Sequence, residues 1–361
     1  MKVIVVGAGI ASLAAAWELV QGHCDVTVLE SERRPGGVIV TEHVDGFIVE
    51  GGADGFLAGE PDLPALAAEL GIGDRVVSQL ARGTALWSGR KLEPIEEGRA
   101  AALLGIEARS ADVAKGFRSF AGGMGEIVAA LADRLAGSLR FAQGVSGLVS
   151  HRGGWQVAIT GGSALDADAV VLALPAYSAG RLLETVGVAG GRALAEVVYL
   201  PSITVSLAYR EDQIGQALPG AGFVVAPDSV GARHAVPLQV RACTYASRKF
   251  PGRAPDGFHL LRAFLAPGDG DPAVQAHAEL AEILGIKGAP LWSRAFHWSR
   301  GLPRYRPRHA EHVAAVRHRL ARLQPLAIAG AGYDGAGVSA CVRSGREAGK
   351  EILGRLGAIS K

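Results

Sequence analysis

The sequence predicts an α/β fold in which a discontinuous Rossmann-like nucleotide-binding domain carries an inserted α+β domain. The first 30 residues contain a strand, a glycine-rich turn, a helix and a second strand, in that order. A second glycine-rich loop between a strand and a helix lies at residues 326–339, near the other end of the chain. Two such segments on either side of a long middle region indicate one nucleotide-binding domain that another domain interrupts. The length of 361 residues and the hydrophobic content of 49% allow two sizeable cores.

The opening segment has the order of a dinucleotide-binding βαβ unit. Residues 3–6 form an apolar run, which is typical of a parallel strand buried on both faces. Gly7 allows the tight turn that follows, and Gly9 allows the backbone to approach a pyrophosphate. The predicted helix begins near Ile10 and directs its N-terminal N–H groups at that anion. Glu30, which ends the second strand, lies at the usual distance for a carboxylate that binds a ribose hydroxyl.

Ser12 occupies the position where a third glycine normally permits close packing of the helix on the strand. Serine adds only a hydroxymethyl group, so we expect it to be accommodated with a small shift. A second glycine signal, Pro35-Gly36-Gly37, follows the acidic strand end and offers bare backbone N–H groups for a further contact. Arg34 adds a guanidinium beside it. A plain turn is the alternative interpretation of this tripeptide.

The C-terminal glycine-rich loop indicates flavin adenine dinucleotide (FAD) rather than a nicotinamide cofactor. FAD is a long molecule that needs one site for its ADP end and another for its isoalloxazine ring. The last predicted helix begins at about Val338 and directs its N-terminus at this loop. Its dipole would stabilise the negative charge of a reduced flavin.

Composition and charge exclude several other classes of protein. A net charge of +2 gives no field strong enough to indicate a nucleic-acid-binding protein. The three cysteines are scattered without metal-ligand spacing, which favours a reducing cytoplasm and no metal site. No run of about 18–20 apolar residues predicts a transmembrane helix. Arginine and histidine are frequent in residues 294–322, which indicates either a solvated surface or one that attracts carboxylates or an anionic membrane.

With these features the sequence resembles the oxygen-dependent protoporphyrinogen and coproporphyrinogen oxidases of haem synthesis, within the flavin amine oxidase superfamily. The resemblance extends along most of the chain. The stretches most specific to these oxidases are Lys249-Phe-Pro251-Gly-Arg253-Ala-Pro255, Trp298-x-x-Gly301-x-Pro303-x-Tyr305, and Gly330-x-x-Tyr333-x-Gly335-x-Gly337 with Cys341-x-x-Ser344-Gly345-Arg346.

The resemblance implies FAD as the cofactor, bound by residues from both ends of the chain. By role, these are Gly7, Gly9 and Ser12 for the pyrophosphate, Glu30 for the adenosine ribose, Arg34, Gly36 and Gly37 for the ribityl path, Val145 for the adenine and Trp298 beside the flavin. On the C-terminal side the resemblance implies Gly330, Gly337, Val338 and Ser339. The remaining expected cofactor-binding residues are Ala8, Ile10, Ser31, Val38, Gly52 and Tyr333.

The activity that the resemblance implies is oxidation of a porphyrinogen to the porphyrin, with dioxygen as the acceptor. We name no catalytic side chain from the sequence, and Arg262, Arg300 and Arg304 are candidates to pair with the propionates. Two other interpretations stay open. One is a related flavoenzyme that acts on another small hydrophobic substrate, and the other is an FAD-binding protein completed by a partner.

One segment departs from the family pattern. Family members carry a long helical insertion that builds much of the substrate pocket and the membrane-docking surface, and residues 93–117 stand in its place. An ordered cap here would favour an autonomous enzyme, and an exposed apolar groove would favour a partner protein or a peripheral membrane contact. The predicted domains are FAD-binding segments at 1–92, 118–175 and 321–361, a shortened remnant of the helical domain at 93–117 and a substrate domain at 176–320.

Overall fold

The computed structural model describes residues 1–103, 110–226 and 238–359. Its strands are β1 (Lys2–Val6), β2 (Asp25–Leu29), β3 (Thr41–Val44), β4 (Phe47–Glu50), β5 (Phe56–Leu57), β6 (Val76–Ser78), β7 (Thr84–Trp87), β8 (Leu92–Ile95), β9 (Phe117–Phe120), β10 (Leu139–Arg140), β11 (Val145–His151), β12 (Gly154–Ile159), β13 (Ala164–Ala167), β14 (Ala169–Leu172), β15 (Val198–Arg210), β16 (Gly222–Val225), β17 (Val240–Tyr245), β18 (Phe258–Leu265), β19 (Trp292–Arg304) and β20 (Leu326–Ile328). Its helices are α1 (Ile10–Gln21), α2 (Asp62–Glu69), α3 (Glu97–Leu103), α4 (Ser110–Val113), α5 (Gly125–Arg134), α6 (Ala176–Thr185), α7 (Gly191–Ala195), α8 (Ala246–Lys249), α9 (Pro272–Leu284), α10 (His309–Leu320) and α11 (Val338–Ile359).

A five-stranded parallel sheet forms the nucleotide-binding half, in the order β10-β2-β1-β14-β20. The apolar run of β1 lies in its centre and is buried on both faces, as the sequence predicts. One face packs against α1 and α11, and the other packs against α6, α10 and the antiparallel meander β11-β12-β13. The first strand and the last strand of the chain therefore belong to one sheet, which confirms the predicted discontinuous α/β domain.

A seven-stranded sheet forms the second half, in the order β19-β15-β18-β17-β16-β7-β8. One face buries α9, which begins at an Asp271 cap with Pro272 in its first turn and ends at Gly285 in the left-handed conformation. The opposite face meets the hairpin β3-β4 and the loop that follows it. The two sheets are thus joined near the carboxyl end of β4.

The structure differs from the predicted division of the chain in two places. Strand β7 falls at the end of the predicted first FAD-binding segment and β8 crosses its boundary at residue 92, yet β7 pairs in parallel with β16 and both strands extend the seven-stranded sheet. Helices α6, α7 and α10 fall in the predicted substrate domain, yet their apolar faces pack on the parallel sheet. Burial against residues far away in the sequence decides which strands pair and which face of a helix packs on a sheet. A division of the sequence into consecutive segments does not contain this information.

The short segment at 93–117 is described in part. It contributes β8, α3 and α4, and Ala100 of α3 packs against Val224 and Ala242 of the seven-stranded sheet. Residues 104–109 lie outside the described residues, and the choice between a cap and a groove falls partly on them. Among the helices that the structure describes, none combines the length and the apolar character needed to cross a membrane.

Candidate cofactor-binding site

The two N-terminal glycine turns contact each other at the carboxyl end of β1. The Gly7 N–H donates to the Leu29 carbonyl over 2.7 Å, and the Gly36 N–H donates to the Ala8 carbonyl over 2.8 Å. Gly7 has a φ of 101°, where a Cβ would also lie 2.7 Å from the Ala173 carbonyl oxygen. A Cβ on Gly37 would lie 3.5 Å from the Gly9 Cα. The sequence-predicted glycines therefore form one continuous strip of bare backbone.

Gly9 itself faces open space. A Cβ built there meets no heavy atom within 4 Å, and its φ of −70° suits any residue. Helix α1 begins immediately afterwards at Ile10, so the N–H groups of its first turn have no intrahelical partner. This arrangement leaves room for an anion against the helix N-terminus. Ser12 is fully buried, and its hydroxyl donates to the Ala173 carbonyl over 3.0 Å, which explains why serine is accommodated.

Glu30 connects the end of β2 to the first glycine turn. Its Oε2 accepts from the Ala8 N–H over 2.6 Å, and its Oε1 accepts from the Glu32 N–H over 2.8 Å and from the Ser31 hydroxyl. Its backbone carbonyl accepts from the Gln143 N–H, two residues before Val145. Glu30, Ser31 and the start of β11 are thus held together by hydrogen bonds within the protein.

Arg34 and Val38 lie at the exposed rim of the second glycine turn. The Arg34 guanidinium donates to the Gly37 carbonyl over 2.7 Å and to the Pro35 carbonyl over 3.1 Å. Arg34 therefore closes its own loop, beside the glycines expected along the ribityl path. The Val38 side chain is exposed, and its carbonyl oxygen would collide with any Cβ on Gly52.

The loop after β4 is held by side chains from the seven-stranded sheet. The Gly51 carbonyl accepts from the Trp298 indole over 2.9 Å and from the Thr204 hydroxyl over 3.0 Å. The Phe296 ring lies against Gly51 and leaves no room for a side chain there. Trp298 is therefore brought to the loop that contains Gly52, another expected cofactor-binding residue, and Thr204 is a contact that sequence reasoning missed.

A buried cluster of charged side chains lies beneath this loop. Arg262 donates to the Gly52 carbonyl, and Lys249 donates to Asp54 over 2.8 Å. Burial alone would raise the pKa of Asp54, but Lys249 and Arg262 together lower it to about 2. Glu50 accepts from the Met124 N–H over 2.7 Å and lies 3.8 Å from Arg253, and burial raises its pKa.

The position of Arg262 corrects its predicted role. It was a candidate for the propionates, yet it is buried against Gly52, whereas Arg300 and Arg304 are exposed. The Arg300 guanidinium lies 4.2 Å from the centroid of the Tyr177 ring. The sequence signal for this cluster is Arg262, a charged residue within the apolar strand β18.

The C-terminal glycine loop packs beside the start of α1. A Cβ on Gly330 would lie 3.7 Å from the Ala11 Cβ, and one on Gly345 would collide with the Ala11 carbonyl. The Ser344 hydroxyl accepts from the Gly330 N–H over 2.9 Å and donates to Asp334 over 2.5 Å. The predicted first and last segments are therefore adjacent.

Tyr333, an expected cofactor-binding residue, lies beneath the C-terminal glycine loop. It is buried in the core beside the parallel sheet, and its hydroxyl donates to the Leu174 carbonyl over 3.1 Å. Tyr305 donates to the Ala331 carbonyl over 2.5 Å, and His309 Nε2 lies 2.9 Å from the Gly332 carbonyl oxygen. Tyr333 thus braces the loop from inside, and its hydroxyl is engaged.

The start of α11 fits a ligand that brings polar groups. Ser339 is fully buried, and its hydroxyl makes no hydrogen bond of ordinary geometry within the described residues. The carboxylate of Glu60 faces it and lies about 4.0 Å from where a Cβ on Gly337 would be. Val338, the first residue of α11, is also buried. The buried hydroxyl beside Glu60 and the glycine at this helix N-terminus suit the flavin end of FAD.

Comparisons with known proteins agree with this geometry. Residues 95–353 match the family model for flavin containing amine oxidoreductase, and residues 5–70 match an NAD(P)-binding Rossmann-like domain. The coproporphyrinogen III oxidase of Propionibacterium freudenreichii subsp. freudenreichii is 27% identical, over 97% of this chain and 90% of the relative. The protoporphyrinogen oxidase of Bos taurus is 29% identical, over 59% of this chain and 46% of the relative.

The Propionibacterium alignment extends over 486 positions, more than the 361 residues of this chain, so that relative has segments that this chain lacks. Among solved structures, a protein from Exiguobacterium sp. 255-15 that is provisionally named a protoporphyrinogen oxidase superposes with a TM-score of 0.81 at 22% identity, over 98% of both chains. Cyclohexylamine oxidase from Brevibacterium oxydans IH-35A superposes with a TM-score of 0.77 at 14% identity, over 99% of both chains. The chain belongs to the flavin containing amine oxidoreductase family and is an FAD-dependent oxidoreductase.

Proposed function

We propose that this chain oxidises a porphyrinogen, coproporphyrinogen III or protoporphyrinogen IX, to the corresponding porphyrin with dioxygen as the acceptor, in haem biosynthesis. The observation that carries the proposal is the similarity along 97% of the chain to a coproporphyrinogen III oxidase, combined with the adjacent N- and C-terminal glycine loops. The three cysteines are free thiols, which supports a reducing compartment, and we assign the chain to the cytoplasm on that ground.

The surface beyond Trp298 supports a large amphipathic substrate. The register of β15 and β19 pairs Leu200 with Leu302 and Val198 with Arg304 on the far side of Trp298. A bulge separates these two pairs from the Ser202–Trp298 pair, so they lie next to Trp298 along the same two strands. Val198 and Leu302 are exposed apolar side chains beside an exposed arginine. An apolar macrocycle with carboxylate arms matches both properties of this surface.

In this proposal, the residues of the protein bind and orient the cofactor. When bound, FAD accepts two electrons from a substrate carbon and returns them to an acceptor. The glycine turns at residues 7–9 and 36–37 and the first turn of α1 would hold the pyrophosphate, and Glu30 would hold the ribose. Trp298 and Thr204 fix the Gly51 peptide beside the ring. The start of α11 would meet the ring from the opposite end of the chain.

In the same proposal the segments that form the parallel sheet make up the FAD-binding domain, and the seven-stranded sheet supplies the substrate face. The family resemblance assigns a longer helical segment to the position of residues 93–117, and its shortness in this chain supports a wide entrance in the proposal. A wide entrance suits a tetrapyrrole macrocycle better than a small amine.

The test is an aerobic assay with each porphyrinogen supplied separately to the FAD-loaded protein in the dark. We expect red porphyrin fluorescence to appear faster than in the spontaneous reaction with one or both substrates. A Gly9→Val variant, which places a side chain where the pyrophosphate would lie, is the control for the uncatalysed rate. Equal rates for the wild-type protein and the control with both substrates would overturn the proposal.

A further inference from the structure

The charged cluster beneath the Gly51–Gly52 loop contains more positive than negative charge. Lys249, Arg253 and Arg262 are only 9%, 2% and 3% exposed. Within the described residues, the carboxylates that face them are those of Glu50 and Asp54, and Arg253 also faces Glu126, which forms an ion pair with the exposed Arg75. With that ion pair set aside, three buried cations face two carboxylates, which leaves one positive charge without a carboxylate partner. A buried charge without a partner is costly, so the site favours an additional anion.

Arg262 is the member of the cluster closest to the cofactor loop. Its Nη2 donates to the Gly52 carbonyl, whereas its Nε is buried and has no hydrogen-bond partner within the described residues. Its guanidinium carbon lies 4.8 Å from the centroid of the Phe264 ring. Lys249 is committed to Asp54, and Arg253 donates to Ser119 and to the carbonyls of residues 120 and 121. The unbalanced charge therefore resides chiefly on Arg262.

The Gly52 peptide transmits this charge towards the cofactor. Its carbonyl is directed at Arg262, and only glycine fits at this position because a Cβ would collide with the Val38 carbonyl. A peptide dipole held by a buried cation costs no reorganisation when negative charge develops nearby. A two-electron-reduced flavin carries negative charge on its pyrimidine ring, which makes it the anion that this arrangement would stabilise.

We propose that Arg262 is a positioning residue that, acting through the Gly52 peptide, stabilises the reduced over the oxidised form of the bound flavin. This inference rests on the proposed function only in that FAD is bound beside Gly52. It is independent of the identity of the substrate. Its consequence is a midpoint potential that depends on the charge of this cluster.

The experiment measures the midpoint potential of the bound flavin by equilibration with a reference dye, and the binding of sulfite to the oxidised flavin. Arg262→Met should weaken stabilisation of the reduced form at least tenfold, which lowers the potential of this two-electron couple by about 30 mV. Sulfite affinity should fall to a similar degree, since the sulfite adduct is also anionic. Arg262→Lys keeps the charge and should show less than half of that shift.

Two further variants test the sign and the location of the effect. Asp54→Asn removes a negative charge while its amide oxygen can still accept from Lys249, so it should raise the potential. Arg294→Met is the matched control, because Arg294 and Arg262 lie on either side of Ser206 in neighbouring strands. Arg294 is exposed and screened by solvent, so its removal should leave the potential unchanged.

An unchanged potential in Arg262→Met, an equal shift in Arg262→Lys, or an equal shift in Arg294→Met would overturn the inference. If Arg262→Met does not accumulate as a folded protein, Asp54→Asn decides, and an unchanged or lower potential in that variant would overturn it. Wild-type protein that takes up no FAD would overturn the proposed function together with this inference. If the wild-type protein binds FAD but the midpoint potential of the flavin does not change with the charge of the cluster, this inference alone is overturned.

Discussion

The indole N–H of Trp298 donates to the carbonyl of Gly51 over 2.9 Å and thereby joins the edge strand of the seven-stranded sheet to the loop after β4. The same carbonyl accepts from the Thr204 hydroxyl over 3.0 Å. One backbone oxygen therefore has both of its lone pairs engaged by the second half of the molecule. This double contact fixes the two halves relative to each other beside the cofactor-binding loop.

Removal of either hydrogen-bond donor should lower the free energy of unfolding only a little. Removal of both donors should lower it by more than the sum of the two single losses. Trp298→Phe and Thr204→Val should each lower the free energy of unfolding by about 1 kcal/mol, because one hydrogen bond remains. The double variant leaves the Gly51 carbonyl unpaired and should lose about 1 kcal/mol beyond the sum of the two single losses. Urea unfolding of the four proteins measures this coupling.

Trp292→Phe is the matched control on the same strand. The Trp292 indole nitrogen is buried without a hydrogen-bond partner in the described residues, so its loss removes no hydrogen bond. We expect a smaller loss of stability than for Trp298→Phe. Strict additivity of Trp298→Phe and Thr204→Val would show that the shared carbonyl does not couple them.

Gly7 and Gly9 should respond oppositely to alanine, although both belong to one motif. Gly7→Ala should cost about 2 kcal/mol or more, because the φ of 101° strains an L residue and its Cβ would press on the Ala173 carbonyl. Gly9→Ala should change stability by less than about 1 kcal/mol, because its φ is ordinary and its Cβ meets open space. Thermal unfolding of the FAD-free proteins distinguishes them. Equal losses would contradict the assignment of separate roles.

Local signals made the N-terminal unit predictable. The buried apolar run, the turn at Gly7 and the helix start at Ile10 each follow from short-range rules, and the structure has them at the predicted positions. The adjacency of the C-terminal loop was also foreseeable, because a long ligand with two glycine sites requires both ends to meet.

Features that depend on distant partners were not predictable in this way. Strand β7 joins the seven-stranded sheet because β16 presents a free edge, and nothing within residues 84–87 specifies that partner. Arg262 stands out in the sequence as a charge in an apolar strand, yet its partner at Gly52 lies 210 residues away. Tyr333 was predicted to meet the cofactor, but the burial that turns its hydroxyl to Leu174 depends on the packing of the whole parallel sheet.

The ionised state of Asp54 should make the protein sensitive to acid. Its pKa of about 2 lies below the usual value of 3.8, so its ionisation stabilises the fold above pH 4 and this contribution is lost as the pH falls towards 2. Asp54→Asn should therefore be about 2 kcal/mol less stable than the wild type at pH 6 and equally stable near pH 2. Denaturant titrations at several pH values measure this difference. A difference that stays constant between pH 6 and pH 2 would show that the carboxylate charge is not involved.

The binding of FAD to apoprotein, followed by quenching of flavin fluorescence, tests most directly whether the first and last segments hold one cofactor. Gly9→Val places a side chain in open space, and Gly337→Val places one in ordinary van der Waals contact with the Glu60 carboxylate, so neither should disturb the FAD-free fold. Gly354→Val adds the same atoms to open space near the end of α11 and serves as the control. We expect both site variants to bind FAD at least 100-fold more weakly, a loss of about 2.7 kcal/mol or more, and the control to bind it as the wild type does. Wild-type affinity in either site variant, with the folded state intact, would contradict a cofactor held from both ends of the chain.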